Sequence, residues 1–365
     1  KLSSFDIISR MESQIKGLLD IGTATPAVPL ALDANRRFDE RRQRALLRYY
    51  AAAGVGGVAV GVPTTQFAIR DPQHGLFEPV LKLAADVCDE IDARLDGPRE
   101  KPLIRVAGIC GDTKQAMGEA EFLRESRYHA GLLNLGALRN ASEAELIAHC
   151  RRVAEVIPIF GFYLNSAAGG RELPYSFWLQ FADIENVVAI KIAAFNRYQT
   201  LDCIRAIAES GRGDIALYTG NDDNIILDLL TPFRFHVGGK LVERRIVGGL
   251  LGHWSVWTKR AVEQLAMCQQ AVAAGKGASP EMLRLANEVT DSNAAFFDPL
   301  HGFAGCIPGL HTVLVKQGLF TGDWCLDPNE KLSPGQAKEI ERVYAAYPHL
   351  NDDEFVAEHR DHWLS

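Results

Sequence analysis

The sequence predicts an α/β protein, a (β/α)8 TIM barrel with a C-terminal helical extension. Short apolar runs alternate with amphipathic stretches over residues 25–251, which is the pattern of repeated strand–helix units. The runs are continuously apolar, as parallel strands buried on both faces are. From Trp254 onward, helical segments follow one another without strands. We therefore expect an N-terminal helix at 1–20, the barrel at 21–253 and the extension at 254–365. A doubly wound open sheet is the alternative to the barrel.

Eight apolar runs provide the predicted strands. In chain order they are Thr25–Leu32, Gly57–Gly61, Leu103–Ile109, Gly131–Leu135, Ile157–Leu164, Val187–Ile192, Ile215–Gly220 and Arg245–Leu251. The last run is rich in glycine, and it completes the count of eight that a closed barrel of this type needs.

Helical stretches fill the intervals between the strands, and their ends carry recognisable signals. Ser142 and Glu145 form a capping box, and Gly54 suits a left-handed helix cap. A helix over Phe5–Leu19 is expected to plug the bottom of the barrel. The other predicted helices cover 40–53, 71–95, 113–126, 142 onward, 174–181, 200–210 and 221–230 in the barrel, and 254–274, 279–297, 308–317 and 335–346 in the extension.

Composition and charge narrow the possible classes of function. The chain of 365 residues is 47% hydrophobic, and its 39 basic against 46 acidic residues give a net charge of −7. This balance argues against a nucleic-acid partner, and the apolar runs are too short to span a membrane, so neither partner is expected. Seven scattered cysteines without a C-x-x-C motif indicate reduced thiols in a cytoplasmic protein. The histidines show no zinc-ligand spacing, so we expect no metal site. We also expect no cofactor.

Lys191 is the strongest candidate for a catalytic residue. It lies in the sixth predicted strand, within the run VVAIKIAAF, and barrels of this kind carry their active groups at the carboxyl ends of strands. Burial disfavours the charged ammonium, and a neutral amine can add to a ketone to form a Schiff base. The alternatives are a lysine that snorkels from a strand end or one that pairs with a buried acid.

Tyr163, at the end of the fifth predicted strand, is the candidate proton carrier. It precedes Lys191 by 28 residues (191 − 163 = 28), which is one strand–helix unit. The two strands are therefore expected to be neighbours about 4.8 Å apart. A tyrosine hydroxyl beside an imine-forming lysine can shuttle protons. The alternative is an ordinary aromatic residue that packs at a strand end.

The segments IFGFYLNSAAGG (159–170) and NVVAIKIAAFN (186–196) resemble the tyrosine and Schiff-base lysine segments of the dihydrodipicolinate synthase/N-acetylneuraminate lyase family. Three more segments resemble that family in the same order: 26–39, 52–71 and 218–230. The resemblance makes Lys191 the Schiff-base lysine and Tyr163 the proton-relay tyrosine. It implies a class I aldolase on a (β/α)8 barrel, dimeric or tetrameric, that condenses with pyruvate or another 2-oxo acid without a metal.

The family's threonine pair, which binds the keto-acid carboxylate, falls on residues 63–65. One alignment places it on Pro63 and Thr64, and a shift of one residue places it on Thr64 and Thr65. The resemblance therefore makes Thr64 and Thr65 the expected carboxylate-binding residues. Gly248, in the eighth predicted strand, is a further substrate-binding candidate.

Two groups of the family are missing from this sequence. The arginine that binds the second substrate of the lysine-biosynthetic enzyme falls on Ala168, and a tyrosine normally supplied across a dimer interface falls within LGALRNAS (135–142). Aspartate semialdehyde carries a carboxylate that needs a cation, and the nearby basic residue is Arg171. The sequence therefore predicts that the protein is not a true dihydrodipicolinate synthase.

The resulting prediction is a cytoplasmic lyase, a class I aldolase that makes or cleaves a bond between a 2-oxo acid and an aldehyde and that forms a homodimer or homotetramer. Two alternatives stay open. The same imine could expel hydroxide, which would make the protein a 2-keto-3-deoxy sugar acid dehydratase. The missing relay groups also allow a non-catalytic pseudoenzyme that binds an oxo acid without turnover.

Overall fold

The computed structural model describes residues 4–93 and 101–365. Eight parallel strands form a nearly closed (β/α)8 barrel followed by C-terminal helices, which confirms the predicted fold class. The barrel strands are β1 Ala24–Pro26, β2 Gly57–Val60, β3 Ile104–Ile109, β4 Ala130–Leu133, β5 Ile159–Leu164, β6 Val187–Ala193, β7 Ala216–Thr219 and β10 Ile246–Leu251, and a hairpin contributes β8 Phe233–Val237 and β9 Lys240–Arg244. The sheet order is β1-β10-β7-β6-β5-β4-β3-β2.

The described residues contain thirteen α-helices. They are α1 Ser4–Ile21, α2 Glu40–Ala53, α3 Phe77–Asp92, α4 Thr113–Glu125, α5 Glu143–Ala154, α6 Tyr175–Ala182, α7 Arg197–Glu209, α8 Ile225–Leu230, α9 Thr258–Ala273, α10 Pro280–Phe297, α11 Cys306–Lys316, α12 Gln336–Ala346 and α13 Asp353–Trp363. Every predicted helix has a counterpart, whereas α13 was not predicted. Helix α3 begins at Phe77 rather than residue 71, because residues 71–75 form a separate turn in which the Asp71 carbonyl oxygen accepts the N–H groups of His74 and Gly75. Its predicted end at residue 95 lies outside the described residues.

The chain divides into two compact units, each built from separate stretches of sequence. The first unit contains the residues up to Thr23, Ile104–Gly220 and Thr231–Gly249. It holds α1, strands β3 to β7, helices α4 to α7 and the hairpin. The second unit contains Ala24–Leu103, Asn221–Leu230 and Leu250–Ser365. It holds β1, β2, α2, α3 and helices α8 to α13.

The first strand is shorter than predicted. Strand β1 ends at Pro26, and Pro29 follows. Proline has no amide hydrogen to donate to a neighbouring strand, so the ladder cannot continue regularly through these positions. The chain beyond β1 meets β2 at one parallel bridge between Ala27 and Ala59, where the Val28 N–H donates to the Ala59 carbonyl oxygen at 2.8 Å.

An antiparallel hairpin, β8 and β9, lies between α8 and the last barrel strand, β10, and was not predicted. Gly238 and Gly239 form its two-residue turn, with φ of 55° and 79°. Type I′ hairpin turns need such positive φ values at both central residues. The sequence FRFHV-GG-KLVER carries this signal, because two strand-like runs flank a Gly-Gly pair.

Helix α1 lies at the amino-terminal end of β7. The Tyr218 hydroxyl on β7 donates to the Leu19 carbonyl oxygen at 3.0 Å. Lys16 donates to the Asp214 carbonyl oxygen, just before β7, at 2.7 Å. These bonds anchor the end of α1 below the strand, away from the carboxyl end where the chemistry is expected.

The second unit has its own core, organised around buried tyrosines of α2. The Tyr49 hydroxyl donates to the Asp352 carboxylate at 2.7 Å and accepts from the Thr258 N–H at 2.8 Å. One side chain thereby joins α2 to the first residue of α9 and to the residue before α13. Among the described residues, no helix is both long and apolar enough to cross a membrane.

Candidate active site

Lys191 lies on β6 and is 5% exposed. Its partners in register are Phe162 on β5 and Tyr218 on β7. Neighbours in register on a sheet present their side chains to the same face. The Lys191 Nζ atom lies 4.6 Å from the centroid of the Phe162 ring, which is cation–π distance. The prediction of a buried lysine on a mainly apolar face of the sixth strand is confirmed.

Gly220, directly after β7, leaves the space that the lysine stem occupies. A Cβ atom at this position would lie 2.5 Å from Cε and 2.9 Å from Cγ of Lys191. It would also lie 2.8 Å from the Cβ of Ala193. Real side chains do not approach this closely, so any larger residue would displace the lysine. Sequence reasoning treated Gly220 only as the last residue of the seventh predicted strand, although a glycine ending a strand beside the lysine strand is a usable signal.

The structure does not bring Tyr163 to Lys191. Strands β5 and β6 are neighbours, as predicted, but Tyr163 pairs with Ile192, so its ring lies on the opposite face of the sheet. There its ring centroid is 5.3 Å from that of Trp178 on α6. Its hydroxyl accepts a hydrogen bond from the Leu173 N–H at 3.4 Å. The position of Tyr163 therefore does not support its expected role as a proton relay to Lys191.

An irregularity in the pairing of β5 and β6 decides this outcome. Ile159 pairs with Val187, an offset of 28 residues (187 − 159), but Phe162 pairs with Lys191, an offset of 29 (191 − 162). The register shifts by one between Ile159 and Phe160. A shift of one residue exchanges the two faces of a strand. A pairing offset of 28 residues would place Tyr163 opposite Lys191. That offset applies at the start of the two strands, but the offset is 29 where Lys191 lies.

The environment of Tyr163 is that of a packing residue. Burial raises the pKa of its hydroxyl to about 12, so the group stays protonated near neutrality. On the other face, β5 presents Phe160, Phe162 and Leu164, by alternation along the strand. The part of β5 that shares a face with Lys191 is therefore entirely apolar.

Gly248, predicted to bind substrate, makes room for the backbone instead. It pairs in register with Tyr218. A Cβ atom on Gly248 would lie 2.6 Å from the amide nitrogen and 2.7 Å from the carbonyl oxygen of Thr23. Packing against Thr23 and Tyr218 explains why this position carries no side chain.

The two threonines after β2 have different surroundings. The Thr65 hydroxyl donates to the Val28 carbonyl oxygen at 2.7 Å and accepts from the amides of Gly61 at 3.0 Å and Val62 at 3.4 Å. One hydroxyl has one donor hydrogen and two acceptor sites, so these three bonds use its full capacity. Among the residues that the structure describes, the Thr64 hydroxyl makes one long hydrogen bond, 3.5 Å to the Val28 carbonyl oxygen. Thr64 is therefore better placed than Thr65 to bind a ligand.

Gln66 adds a buried amide directly after this pair. Its backbone has φ of 67°, an uncommon conformation for a residue other than glycine. Its Oε1 atom accepts the Leu326 N–H at 2.7 Å, which fixes the orientation of the amide. Within the part of the chain that the structure describes, its buried Nε2 has no hydrogen-bond partner. Such a donor is costly to leave unmatched, so a ligand oxygen would stabilise it.

Arg171, the cation nearest to Ala168 in sequence, is bonded to the backbone. Its guanidinium donates to the carbonyl oxygens of Leu138 and Ala141, the second at 3.3 Å. It lines a polar cavity of about 170 Å³ at the ends of β5 and β6, on the Tyr163 side. No group of three or more His, Cys, Asp or Glu side chains in the described residues is arranged to hold a metal ion.

Comparison with known proteins identifies relatives of the fold. No family model and no curated protein matches the sequence. The structure resembles N-acetylneuraminate lyase from Fusobacterium nucleatum, with a TM-score of 0.68, 13% identity and coverage of 90% of this chain and 99% of that one. It also resembles dihydrodipicolinate synthase from Oceanobacillus iheyensis, with a TM-score of 0.69, 14% identity and coverage of 93% and 99%.

A third similar structure is a pyruvate complex of an E. coli K12 prophage protein that belongs to the dihydrodipicolinic acid synthase family. Its TM-score is 0.67 at 16% identity, with coverage of 90% of this chain and 98% of that one. At these identities the likeness shows a shared fold, the (β/α)8 barrel with C-terminal helices. The proteins found by structure carry the names of the family that the motifs around Tyr163 and Lys191 resemble.

Proposed function

We propose that the protein is a class I aldolase in which Lys191 forms a Schiff base with a 2-oxo acid. The observation that carries the proposal is the setting of Lys191: a buried amine on a barrel strand, beside a glycine that makes room for it. Burial disfavours the ammonium form, and the neutral amine can attack a carbonyl carbon. The pyruvate bound in the E. coli protein supports the choice of a 2-oxo acid.

The proposal assigns the carboxylate of the oxo acid to the segment after β2. Thr64 offers a hydroxyl with spare capacity, and Gln66 offers a buried N–H group whose orientation is fixed. A carboxylate accepts several hydrogen bonds, and a charged acceptor strengthens each of them. Thr65 serves by holding the turn rather than by touching substrate.

Under this proposal, aspartate semialdehyde does not react efficiently with pyruvate in this site. Ala168 provides no cation, and the Arg171 guanidinium already bonds two backbone carbonyls. A neutral or hydroxylated aldehyde fits this environment better, because its binding needs no cation. Cytoplasmic location and assembly as a homodimer or homotetramer stay predictions from the sequence.

One observation favours a second candidate, a pseudoenzyme that binds an oxo acid without turnover. The face of β5 next to Lys191 is apolar, so the tyrosine relay that the sequence motif implies is absent from it. An imine can form with solvent as the proton carrier, but only slowly. The two candidates differ in whether the adduct proceeds to products.

Borohydride trapping tests the proposal. The protein is incubated with pyruvate or 2-oxobutyrate and sodium borohydride, and peptide mass spectrometry locates the reduced adduct. We expect a secondary amine on Lys191, formed only when an oxo acid is present. An adduct elsewhere, or none with either acid, would refute the Schiff-base mechanism. Release of pyruvate from a panel of 4-hydroxy-2-oxo acids then separates an aldolase from a dehydratase or a binder.

A further inference from the structure

A polar cavity lies at the amino-terminal end of β7, within the first unit. Its volume is about 480 Å³, and its walls come from the end of α1, the start of β7, the end of β9 and the start of β10. Its charged lining residues are Asp20, Asp214, Glu243, Arg244 and Arg245. Cavities that bind small molecules measure about 300–1,000 Å³, so this one is large enough for such a ligand.

This cavity is separate from the surroundings of Lys191. The lysine pairs in register with Tyr218 on β7, and its side chain extends toward Gly220, beyond the carboxyl end of that strand. The cavity is lined instead by Ala216 and Leu217, the first two residues of the same strand. Barrels of this kind place their chemistry at the carboxyl ends of the strands. A ligand in this cavity would therefore be bound without being transformed.

Arg244, the last residue of β9, contributes a guanidinium to the cavity wall. The guanidinium donates to the Ile215 carbonyl oxygen, just before β7. Among the residues that the structure describes, no carboxylate forms an ion pair with it. Burial lowers the pKa of the guanidinium, although the carboxylates of Asp214 and Asp20 attract its charge. Because arginine stays protonated in proteins, this half-buried cation has most of its N–H donors left for a ligand.

Each of the three carboxylates that line the cavity has another cation as its partner. The ion pairs are Lys16 with Asp20, Arg212 with Asp214, and both Arg234 and Arg245 with Glu243. The Arg212 guanidinium bonds both carboxylate oxygens of Asp214, at 2.8 and 2.7 Å. Together with Arg244, these side chains comprise five cations and three carboxylates. The cavity therefore has an excess of positive charge, in a chain whose net charge is −7.

The neighbours of Arg244 fix the position of its guanidinium. Arg244 pairs in register with the buried Phe233 at the base of the hairpin. Its Nη2 atom bonds Ile215, and its Nη1 atom would lie 3.6 Å from a Cβ atom on Gly213, so the group lies against two lining residues of the cavity. A guanidinium held in this way presents its N–H groups as a planar fork, which matches two oxygens of one phosphate or carboxylate.

We propose that this cavity binds a small molecule that carries a phosphate group, with Arg244 as the residue that anchors the phosphate. A phosphate monoester has a charge of about −1.5 to −2 near neutral pH, which matches the difference between five cations and three carboxylates. A single carboxylate would supply only half of that charge. The site is independent of the proposed function, because it uses none of the residues assigned to the Schiff base or to its carboxylate.

Titration of the full chain with inorganic phosphate, and with acetate at the same ionic strength, tests the proposal. Calorimetry measures the affinity, and nitrogen-15 NMR follows the Nε–H signal of Arg244. We expect saturable binding of phosphate, a shift of the Arg244 signal in step with it, and an affinity for acetate at least about tenfold lower. Acetate that binds as tightly as phosphate would overturn the choice of phosphate. Without saturable phosphate binding, or with an Arg244 signal unmoved at saturation, the proposed site is wrong.

Two substitutions of Arg244 separate its charge from its geometry. Arg244→Gln removes the charge and should weaken phosphate binding about 10- to 100-fold, the loss of a hydrogen bond to a charged group. Arg244→Lys keeps the charge but not the planar fork, so its affinity should lie between those of Arg244→Gln and the wild type.

Arg205→Gln is the matched control for these variants. Arg205 lies on α7 of the same unit and bonds Asp202 at 3.2 Å, and it does not line the cavity. Removal of this charge should leave phosphate affinity unchanged. Urea unfolding shows which variants are folded. A folded Arg244→Gln protein that binds phosphate within threefold of the wild type would overturn the assignment of Arg244. If that variant does not fold, the same result in Arg244→Lys together with an unmoved Nε–H signal in the wild type would overturn it.

Discussion

The two faces of the β5–β6 pair differ sharply although they carry consecutive residues. On one face, Phe162 meets Lys191, and Gly220 leaves room for the amine. On the other face, Tyr163 packs on Trp178 and bonds a backbone amide. The motif suggests a lysine and a tyrosine acting together, whereas the register assigns them to different environments. Adjacent strands therefore do not guarantee a shared site, because one residue of register exchanges the faces.

Replacing the lysine should have the largest effect. Lys191→Ala removes the amine that the proposed imine requires, so no adduct should form with pyruvate and borohydride. Lys316→Ala is the control, because Lys316 also lies over an aromatic ring, at 4.7 Å from Tyr344. It should leave trapping on Lys191 unchanged. Mass spectrometry of the reduced protein measures both, and an adduct of normal yield in Lys191→Ala would contradict the proposal.

Filling the space beside the lysine should have the second largest effect. Gly220→Ala places a Cβ atom 2.5 Å from the Lys191 Cε, which must shift. Overpacking of this kind costs about 1–3 kcal/mol in the free energy of unfolding, and trapping should slow as well. Gly118→Ala on α4 is the control, since its new Cβ meets no atom within 4 Å. We expect it to raise stability by about 0.5–1 kcal/mol. Urea unfolding of both variants would show the contrast.

Substitutions of the threonine pair compare a hydroxyl whose hydrogen-bonding capacity is fully used, that of Thr65, with one that can still bind a ligand, that of Thr64. Thr65→Val strips three backbone groups of their partner, so stability should fall by about 1–3 kcal/mol. Thr64→Val breaks only a 3.5 Å contact and should leave stability nearly unchanged. It should instead raise the pyruvate concentration for half-maximal trapping about tenfold, the loss of one charge-assisted hydrogen bond. The reversed pattern would assign the carboxylate to Thr65.

The smallest effect is expected at Tyr163, on the face of the β5–β6 pair opposite Lys191. Tyr163→Phe keeps the ring against Trp178 and removes the acceptor of the Leu173 N–H. We expect a loss of about 0.5–1.5 kcal/mol in the free energy of unfolding, the net value of one hydrogen bond. The rate of trapping should stay within twofold of the wild type. A fall of about 10²-fold or more, as a proton relay would give, would show that the hydroxyl reaches the imine after all.

Much of the architecture could be predicted because it depends on local pattern. The run VVAIKIAAF gave β6, and the capping box of Ser142 and Glu145 gave the start of α5, with both hydrogen bonds present. The hairpin at 233–244 was missed although its Gly-Gly turn is visible in the sequence. Strand β1 was predicted too long, because prolines interrupt its ladder.

The sequence by itself determined the alternation of buried parallel strands with helices and the burial of the lysine, because short continuous apolar runs between amphipathic helices are typical of strands covered on both faces. Through the family motif, the sequence also identified Thr64 as a candidate to bind the carboxylate. The tertiary structure alone decided which residues meet. A register shift after Ile159 turned Tyr163 away from Lys191. Hydrogen bonds to the backbone use the full capacity of the Thr65 hydroxyl. A loop with positive φ angles brings Asp298 and His301 within hydrogen-bond distance. These outcomes depend on contacts between residues distant in sequence or on unusual backbone angles, and neither is encoded in local periodicity.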